Sequence, residues 1–398
     1  MANVIEGNAV VGQSGGPTVV INQSLVGVIE EAKKAGAIQK ILGARHGVTG
    51  MRKSDFVDLR SIADDELEKI ANTPAAALGS TRDKPDEAYC QEVFKVFAAN
   101  NVRYFFYIGG NDSADTARII YEIANKQGHD LRVFHIPKTI DNDLRTTDHC
   151  PGYGSAARFV ASAIMGDDRD NASLPGVKID IIMGRNAGWL TAASALARQD
   201  SEDGPHLIYM PERPVSQDQF CADVKAVYDR LGRCVVAASE GIMDVDGKLW
   251  AEKVMTGGEV DAHGNKQLSG SGALGDALAQ IVKTRVGVKR VRSDTFGYLQ
   301  RSFAGYASPV DAKEARTAGR KAVQYAMAGQ VSGSPCMRRR TGGKYGVSFF
   351  RAKLTDVARL TKNVPDEFIA DNGHDVTPAF LEYLRPLVGK LPVLGKIR

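Results

Sequence analysis

Residues 138–148 read KTIDNDLRTTD and follow a short apolar run, VFHIP, so a lysine, a threonine and two aspartates fall within six positions. A turn needs one aspartate to cap its backbone, not this set. Phosphoryl transfer does call for it: the moving group spreads negative charge over its oxygens, and catalysis is alignment plus charge neutralisation with a base on the attacking hydroxyl. In such a scheme Lys138 neutralises the donor's phosphates, Asp141 accepts the hydroxyl proton, and Asp143 orients Asp141 or holds a water of a magnesium ion. The competing reading is a charged surface loop whose side chains pair among themselves.

Two glycine loops lie upstream. The first, GQSGGPTVVIN at Gly12–Asn22, puts Gly15 and Gly16 where backbone N–H groups can approach an anion, and the helix expected after it would turn its positive end to the same place. Its spacing fits neither GxGxxG nor the Walker loop, and a tight strand-to-helix turn without a ligand explains it equally well. The second, YIGGNDSADT at Tyr107–Thr116, sets Asn111 and Asp112 just past a pair of glycines; they either face a crevice or serve as a hydrophilic helix cap.

The elements that must position these residues are legible as alternation. Short apolar runs at Ala9–Gly12, Val102–Ile108, Leu131–Ile136, Ile179–Met183 and Arg233–Ala238 alternate with helix-length amphipathic stretches, such as Ser113–Gly128. That is the pattern of βαβ units around a mainly parallel sheet buried on both faces, and ligands of such α/β sheets bind at the carboxyl ends of the strands. Two segments read instead as surface loops: 255–275, rich in glycine and polar residues, and 332–344, SGSPCMRRRTGGK. The arginine run in the second is expected to be a solvated face or an anion contact.

At 398 residues, with 43% hydrophobic and 25% charged residues, the chain has room for about two domains. A net charge of +4 from 51 basic and 47 acidic side chains argues against a dedicated nucleic-acid binder and suits a cleft for anionic metabolites. Five scattered cysteines without a CxxC pair indicate reduced thiols in a cytoplasm. No signal-like start and no apolar run of about 18 residues is visible, so neither secretion nor a membrane span is expected.

Seven blocks together carry a family resemblance: SGGPTVVIN from Ser14, LGSTR from Leu78, GGNDS from Gly109, PKTIDND from Pro137, MGRNAGWL from Met183, ASEG from Ala238 and YLQR from Tyr298. In this order they resemble the phosphofructokinases, and more closely their pyrophosphate-dependent branch. The resemblance implies an α/β fold of two Rossmann-like βαβ domains with mainly parallel sheets and an active site in the cleft between them. Residues 1–152 plus about 300–360 would take the phosphoryl donor, and 153–299 plus about 361–398 the sugar phosphate. It implies transfer from pyrophosphate to the 1-hydroxyl of fructose 6-phosphate, reversibly, in glycolysis and gluconeogenesis, with Mg2+ and as a homodimer or homotetramer.

Carried over residue by residue, Gly15 and Arg82 would contact the donor. Thr139, Ile140 and Asp141 would meet the acceptor, with Asp141 as proton acceptor. Met183, Gly184 and Arg185 would hold the sugar phosphate, Arg185 also serving as a transition-state cation, and Glu240 would bond sugar hydroxyls. Arg292, Tyr298 and Arg301 would surround the 6-phosphate, and Lys178 is a stand-in for an arginine that crosses between subunits.

The donor is read from Asp112 and Lys138, where ATP-using members have glycine: a carboxylate there repels the α-phosphate of ATP, while an ammonium favours pyrophosphate. Asn111 departs from the aspartate usual for a magnesium ligand and offers only a neutral carbonyl oxygen. The alternatives are an ATP-dependent 6-phosphofructokinase, a non-catalytic regulatory subunit of the same fold, and, from the glycine loops alone, a dinucleotide-binding oxidoreductase.

Overall fold

A computed structural model of the chain describes residues 4–254, 271–358 and 361–397. The chain divides into two compact units: residues 1–153 with 301–361, and residues 154–300 with 362–398.

The first unit is built on a seven-stranded sheet. Its strands are β1 (Gly7–Gln13), β2 (Ile38–Ala44), β3 (Phe56–Asp58), β4 (Val102–Gly109), β5 (Arg132–Pro137) and, after the chain returns, β10 (Ser332–Arg339) and β11 (Val347–Ala352). Their order is β11-β10-β5-β4-β1-β2-β3, with parallel pairing from β10 through β2 and antiparallel strands at both edges. Helices cover both faces, which explains why β4 reads VRYFFYIG rather than alternating apolar with polar. Tyr104, Phe106 and Ile108 enter one core, and Phe105 and Tyr107 the other. The chain leaves β1 toward β2 and comes back to pair β4 on the opposite side of β1, so the carboxyl ends of β1 and β4 flank a reversal of strand order. Open α/β sheets bind ligands at such points.

The second unit carries a four-stranded parallel sheet, ordered β7-β8-β6-β9, from β6 (Val177–Ile182), β7 (Leu207–Tyr209), β8 (Cys234–Ser239) and β9 (Val291–Thr295). Its core gathers Ile179, Ile181, Val236, Phe220 and Trp250. The chain is thus an α/β protein with mainly parallel sheets.

Two loop assignments need correction. Residues 332–339 are strand β10, with Gly333–Met337 buried. Glycine, serine, proline and arginine suggested a turn, yet Cys336 and Met337 are core residues and the arginines are held flat: Arg338 lies over the Phe350 ring, while Arg339 pairs with Asp148 and covers Tyr345. Most of 255–275 lies outside the described residues, and Ala273–Gly275 begin the helix Ala273–Ile281. Among the described residues no helix is long and apolar enough to cross a membrane.

The helices Ile21–Lys34 and Pro309–Met327 lie side by side against the first sheet, and glycines set their separation. A Cβ on Gly27 would stand 2.1 Å from the Arg316 carbonyl oxygen, and one on Gly319 would stand 2.2 Å from that of Ser24. Backbone cannot yield as a side-chain tip can. Gly27→Ala is therefore expected to lower unfolding free energy by about 1–3 kcal/mol, read from the urea midpoint, whereas Gly36→Ala, which meets nothing within 4 Å, should leave it unchanged.

Candidate active site

In the first unit the site is assembled by three loops at the ends of β1, β4 and β5. Gly15 takes φ +75°, which a side chain would resist. Its N–H donates to the Thr81 carbonyl at 2.9 Å, and its own carbonyl accepts from Ser80 Oγ at 2.6 Å. The LGSTR turn is thereby tied to the glycine loop, which brings Arg82 beside it. Ser14 Oγ and Ser113 Oγ, 2.8 Å apart, join the ends of β1 and β4.

Lys138 follows β5 and is 3% exposed. Its ammonium donates to the Gly16 carbonyl at 2.6 Å, and a Cβ on Gly15 would be 3.3 Å from Nζ. Arg301 approaches the same loop: a Cβ on Gly16 would lie 2.9 Å from one guanidinium nitrogen. Burial, first, and the positive charge of Arg301 push the Lys138 ammonium down to about 8, with Asp141 and Asp143 opposing and Arg82 adding to the shift. Two cations converging on a glycine loop suit an anion. The helix after the loop begins only at Ile21, beyond Pro17–Val20, so the positive charge at the glycines comes from side chains and not from its first turn.

The loop after Lys138 is held from within. The Asp141 N–H donates to Thr139 Oγ1 at 3.1 Å, and Thr139 forms a bridge to Gly152. Asn142 sits at φ +54° and is buried, its Oδ1 accepting from the Cys150 N–H at 2.9 Å. Ile140 is buried at 5% exposure and faces no solvent. Beneath, His135 bonds the Gly109 carbonyl through Nε2 at 2.8 Å and meets Ser334 Oγ at 3.0 Å through Nδ1. Burial pushes this imidazole down to about 4, so it is neutral under Lys138 at ordinary pH.

Asn111 and Asp112 open the helix Asn111–Lys126, whose N-cap is Gly110 without a side-chain cap. Asn111 Oδ1 accepts from the Asp112 N–H at 2.8 Å. The exposed Asp112 carboxylate is 3.1 Å from the ammonium of Lys84, so its charge is partly offset. For magnesium, this unit supplies one amide oxygen at Asn111 and the carboxylates of the 138–143 loop. That sparse set of hard oxygens fits an ion that keeps most of its shell from phosphate and water.

In the second unit, Met183, Gly184 and Arg185 follow β6, and Glu240 follows the neighbouring β8. Gly184 at φ +141° could not carry a Cβ, which would meet the Ala187 carbonyl at 2.6 Å. Its carbonyl accepts from Ser239 Oγ at 2.6 Å and its N–H donates to Glu240 Oε1 at 3.4 Å. A Cβ on Gly241 would fall 2.0 Å from the Arg185 carbonyl, so the two strand-end turns lie against each other. The Met183 N–H donates to Gln300 Oε1 at 3.2 Å.

Arg292 is not brought to this cluster. On β9 it pairs in register with Lys178, five residues before Met183, which is about 16 Å of strand. It is exposed, as is Tyr298. Lys178 points to its own chain, pairing with Asp294 and, at 3.6 Å, with Asp167.

A protein-family model described as Phosphofructokinase matches residues 8–326. The chain belongs to this family. The pyrophosphate–fructose 6-phosphate 1-phosphotransferase of Rhodospirillum rubrum is 56% identical over 387 residues, 97% of this chain and 95% of that one. The protein of the same name from Xanthomonas campestris is 38% identical, with 97% and 93% covered. Among solved structures, the pyrophosphate-dependent phosphofructokinase of Marinobacter aquaeolei superposes with a TM-score of 0.86 at 34% identity, covering 98% of this chain and 94% of that one.

Several residues of this candidate site escaped the sequence reading. Lys84 lies two positions past LGSTR, and nothing in the order of residues pointed it at Asp112. Ser113 and His135 were legible only as a helix start and as part of an apolar run. Gln300 is inside YLQR but had no partner to name.

Because the folded Lys138 releases its proton near 8 and the unfolded side chain near 10.5, its buried charge costs stability at pH 7, and that cost fades as pH rises from 8 to 10.5. Lys138→Met is expected to be no less stable than wild type at pH 7. Over that interval the wild type should gain up to about 3 kcal/mol on the variant, measured by urea unfolding; parallel pH profiles would refute the buried charge.

Proposed function

We propose that this phosphofructokinase transfers a phosphoryl group from pyrophosphate to the 1-hydroxyl of fructose 6-phosphate, yielding fructose 1,6-bisphosphate and phosphate, in either direction. The observation that carries this is the buried Lys138 ammonium at the glycine loop, with Arg301 beside it. Two cations suit a compact tetra-anionic donor, and the relatives named above carry this activity in their names.

The first unit serves as the donor domain. Gly15, Arg82, Lys138 and Arg301 bind pyrophosphate, with Lys138 neutralising charge on the leaving phosphate. Arg301 was expected at the sugar's 6-phosphate; its place beside Gly16 supports a donor contact. Asp112, already paired with Lys84, works less by repulsion than expected, so the two side chains exclude a nucleotide as much by filling space as by charge. Asp141, steadied by Thr139, takes the proton of the attacking hydroxyl. Asn111 and the 138–143 loop would hold Mg2+, which would supply charge neutralisation on the phosphates.

The second unit is the sugar-phosphate domain, where Met183, Gly184 and Arg185 position the sugar phosphate and Glu240 accepts from its hydroxyls. Arg185 also steadies the transferred group. Arg292 and Tyr298, exposed on and after the edge strand β9, act at the 6-phosphate of a second copy in a homodimer or homotetramer. The setting is cytoplasmic, which buried thiols such as Cys90, pushed up to about 12 by burial, support.

With Mg2+ and fructose 6-phosphate, the purified protein is expected to consume pyrophosphate and leave ATP nearly untouched; faster turnover with ATP would refute the donor. Asp141→Asn should lower kcat about 10²–10⁴-fold with pyrophosphate affinity retained. Near wild-type turnover would remove Asp141 from its role. As pH rises through about 8, kcat/KM for pyrophosphate should fall with the Lys138 charge, and Lys138→Arg should shift that limb upward.

A further inference from the structure

A second cluster of charged side chains lies in the sugar-phosphate unit, on the face of the four-stranded sheet covered by the helix Tyr153–Ser173. Asp180 on β6 stands opposite Asp294 on β9 in register, and Asp167 reaches down from the helix. The three carboxylates each offer an oxygen within 4.8 Å of the others. Lys178, two residues before Asp180 and on the same face, contacts Asp294 and Asp167 near the rim. Fully ionised, the three carboxylates and this ammonium carry a charge of −2, with Arg292 in register beside Lys178.

Asp180 is 0% exposed, and among the described residues no donor hydrogen-bonds to either of its carboxylate oxygens. A carboxylate withdrawn from water without a donor is strongly disfavoured. Asp167 faces it closely enough for a hydrogen bond, but only if one of the two carries a proton, since a carboxylate pair has no hydrogen of its own to share. A shared proton would satisfy one oxygen of Asp180, while Lys178 pairs with Asp294 and Asp167. A divalent cation would bind all three carboxylates together.

We propose that Asp167, Asp180 and Asp294 form a binding site for a hard divalent cation such as Ca2+, apart from the catalytic loops. All three ligands are anionic oxygens, the donors that Ca2+, Mg2+ and Mn2+ prefer. Ca2+ accepts irregular sets of oxygens more readily than Mg2+, which demands a near-ideal octahedron, and so suits three carboxylates supplied by three different elements. Asp180 lies at the buried floor, Asp167 is half-buried, and Asp294, more than half exposed, marks the entry side. A bound ion would pin β9 to β6 and to the helix, and so fix the edge strand that carries Arg292.

The test is calorimetric titration of CaCl2 into the EDTA-treated full-length protein, without pyrophosphate or sugar phosphate, alongside thermal melting. The expected result is one saturable site per chain, a Tm that rises with Ca2+, and weaker uptake of Mg2+. Asp294→Asn, at an exposed position that folding tolerates, and Asp180→Asn should each weaken Ca2+ uptake at least about tenfold. Lys178→Gln, which removes the competing ammonium, should strengthen it. Asp141→Asn, in the catalytic loop, should leave this titration unchanged. The proposal is overturned by no saturable uptake at millimolar Ca2+, by tighter uptake of Mg2+, or by uptake indifferent to Asp294→Asn and Asp180→Asn.

Discussion

A positive charge held almost out of reach of water governs the first unit. Lys138 keeps its ammonium only because the glycine loop comes close enough to lend the Gly16 carbonyl, and because Asp141 and Asp143 offset part of the repulsion from Arg301 and Arg82. Such a group is costly in the empty protein and rewarding once an anion arrives, since attraction between opposite charges is strongest where solvent is scarce. The His135 underneath is kept neutral first by burial, and a proton there would also face the charge of Lys138.

Topology makes this arrangement possible. The reversal of strand order at β1 and β4 opens the sheet's carboxyl edge, and the Ser14–Ser113 contact closes the gap between those strands without filling it. The return of the chain at residue 301 matters as much. Arg301 begins the segment that packs the helix Pro309–Met327 against Ile21–Lys34, so the glycine-spaced helix pair and the guanidinium at Gly16 belong to one piece of construction. In the second unit, turns after β6 and β8 lock to each other through Gly184, Ser239, Glu240 and Gly241.

Where the local reading failed, a partner distant in sequence was the reason. The SGSPCMRRR stretch has the residues of a turn, but β5 on one side and β11 on the other make it a strand, and rings at Phe350 and Tyr345 flatten its arginines. Asp112, legible as a repelling carboxylate, has Lys84 against it. Lys178, legible as a stand-in for a subunit-crossing arginine, pairs with Asp294 and Asp167 of its own chain.

The order of residues alone determined the alternation that makes an α/β protein, because a strand buried on both faces must be continuously apolar and its ends must be punctuated. It also determined which side chains could serve a phosphoryl group, since glycines, a lysine and aspartates of the right kind stand at strand ends whatever the fold. Only the tertiary structure decided which of them meet. The depressed proton affinity of Lys138, the place of Arg301 beside Gly16, and the donorless Asp180 all depend on desolvation and on charges brought together from distant parts of the chain, and neither quantity is a property of a local stretch of sequence.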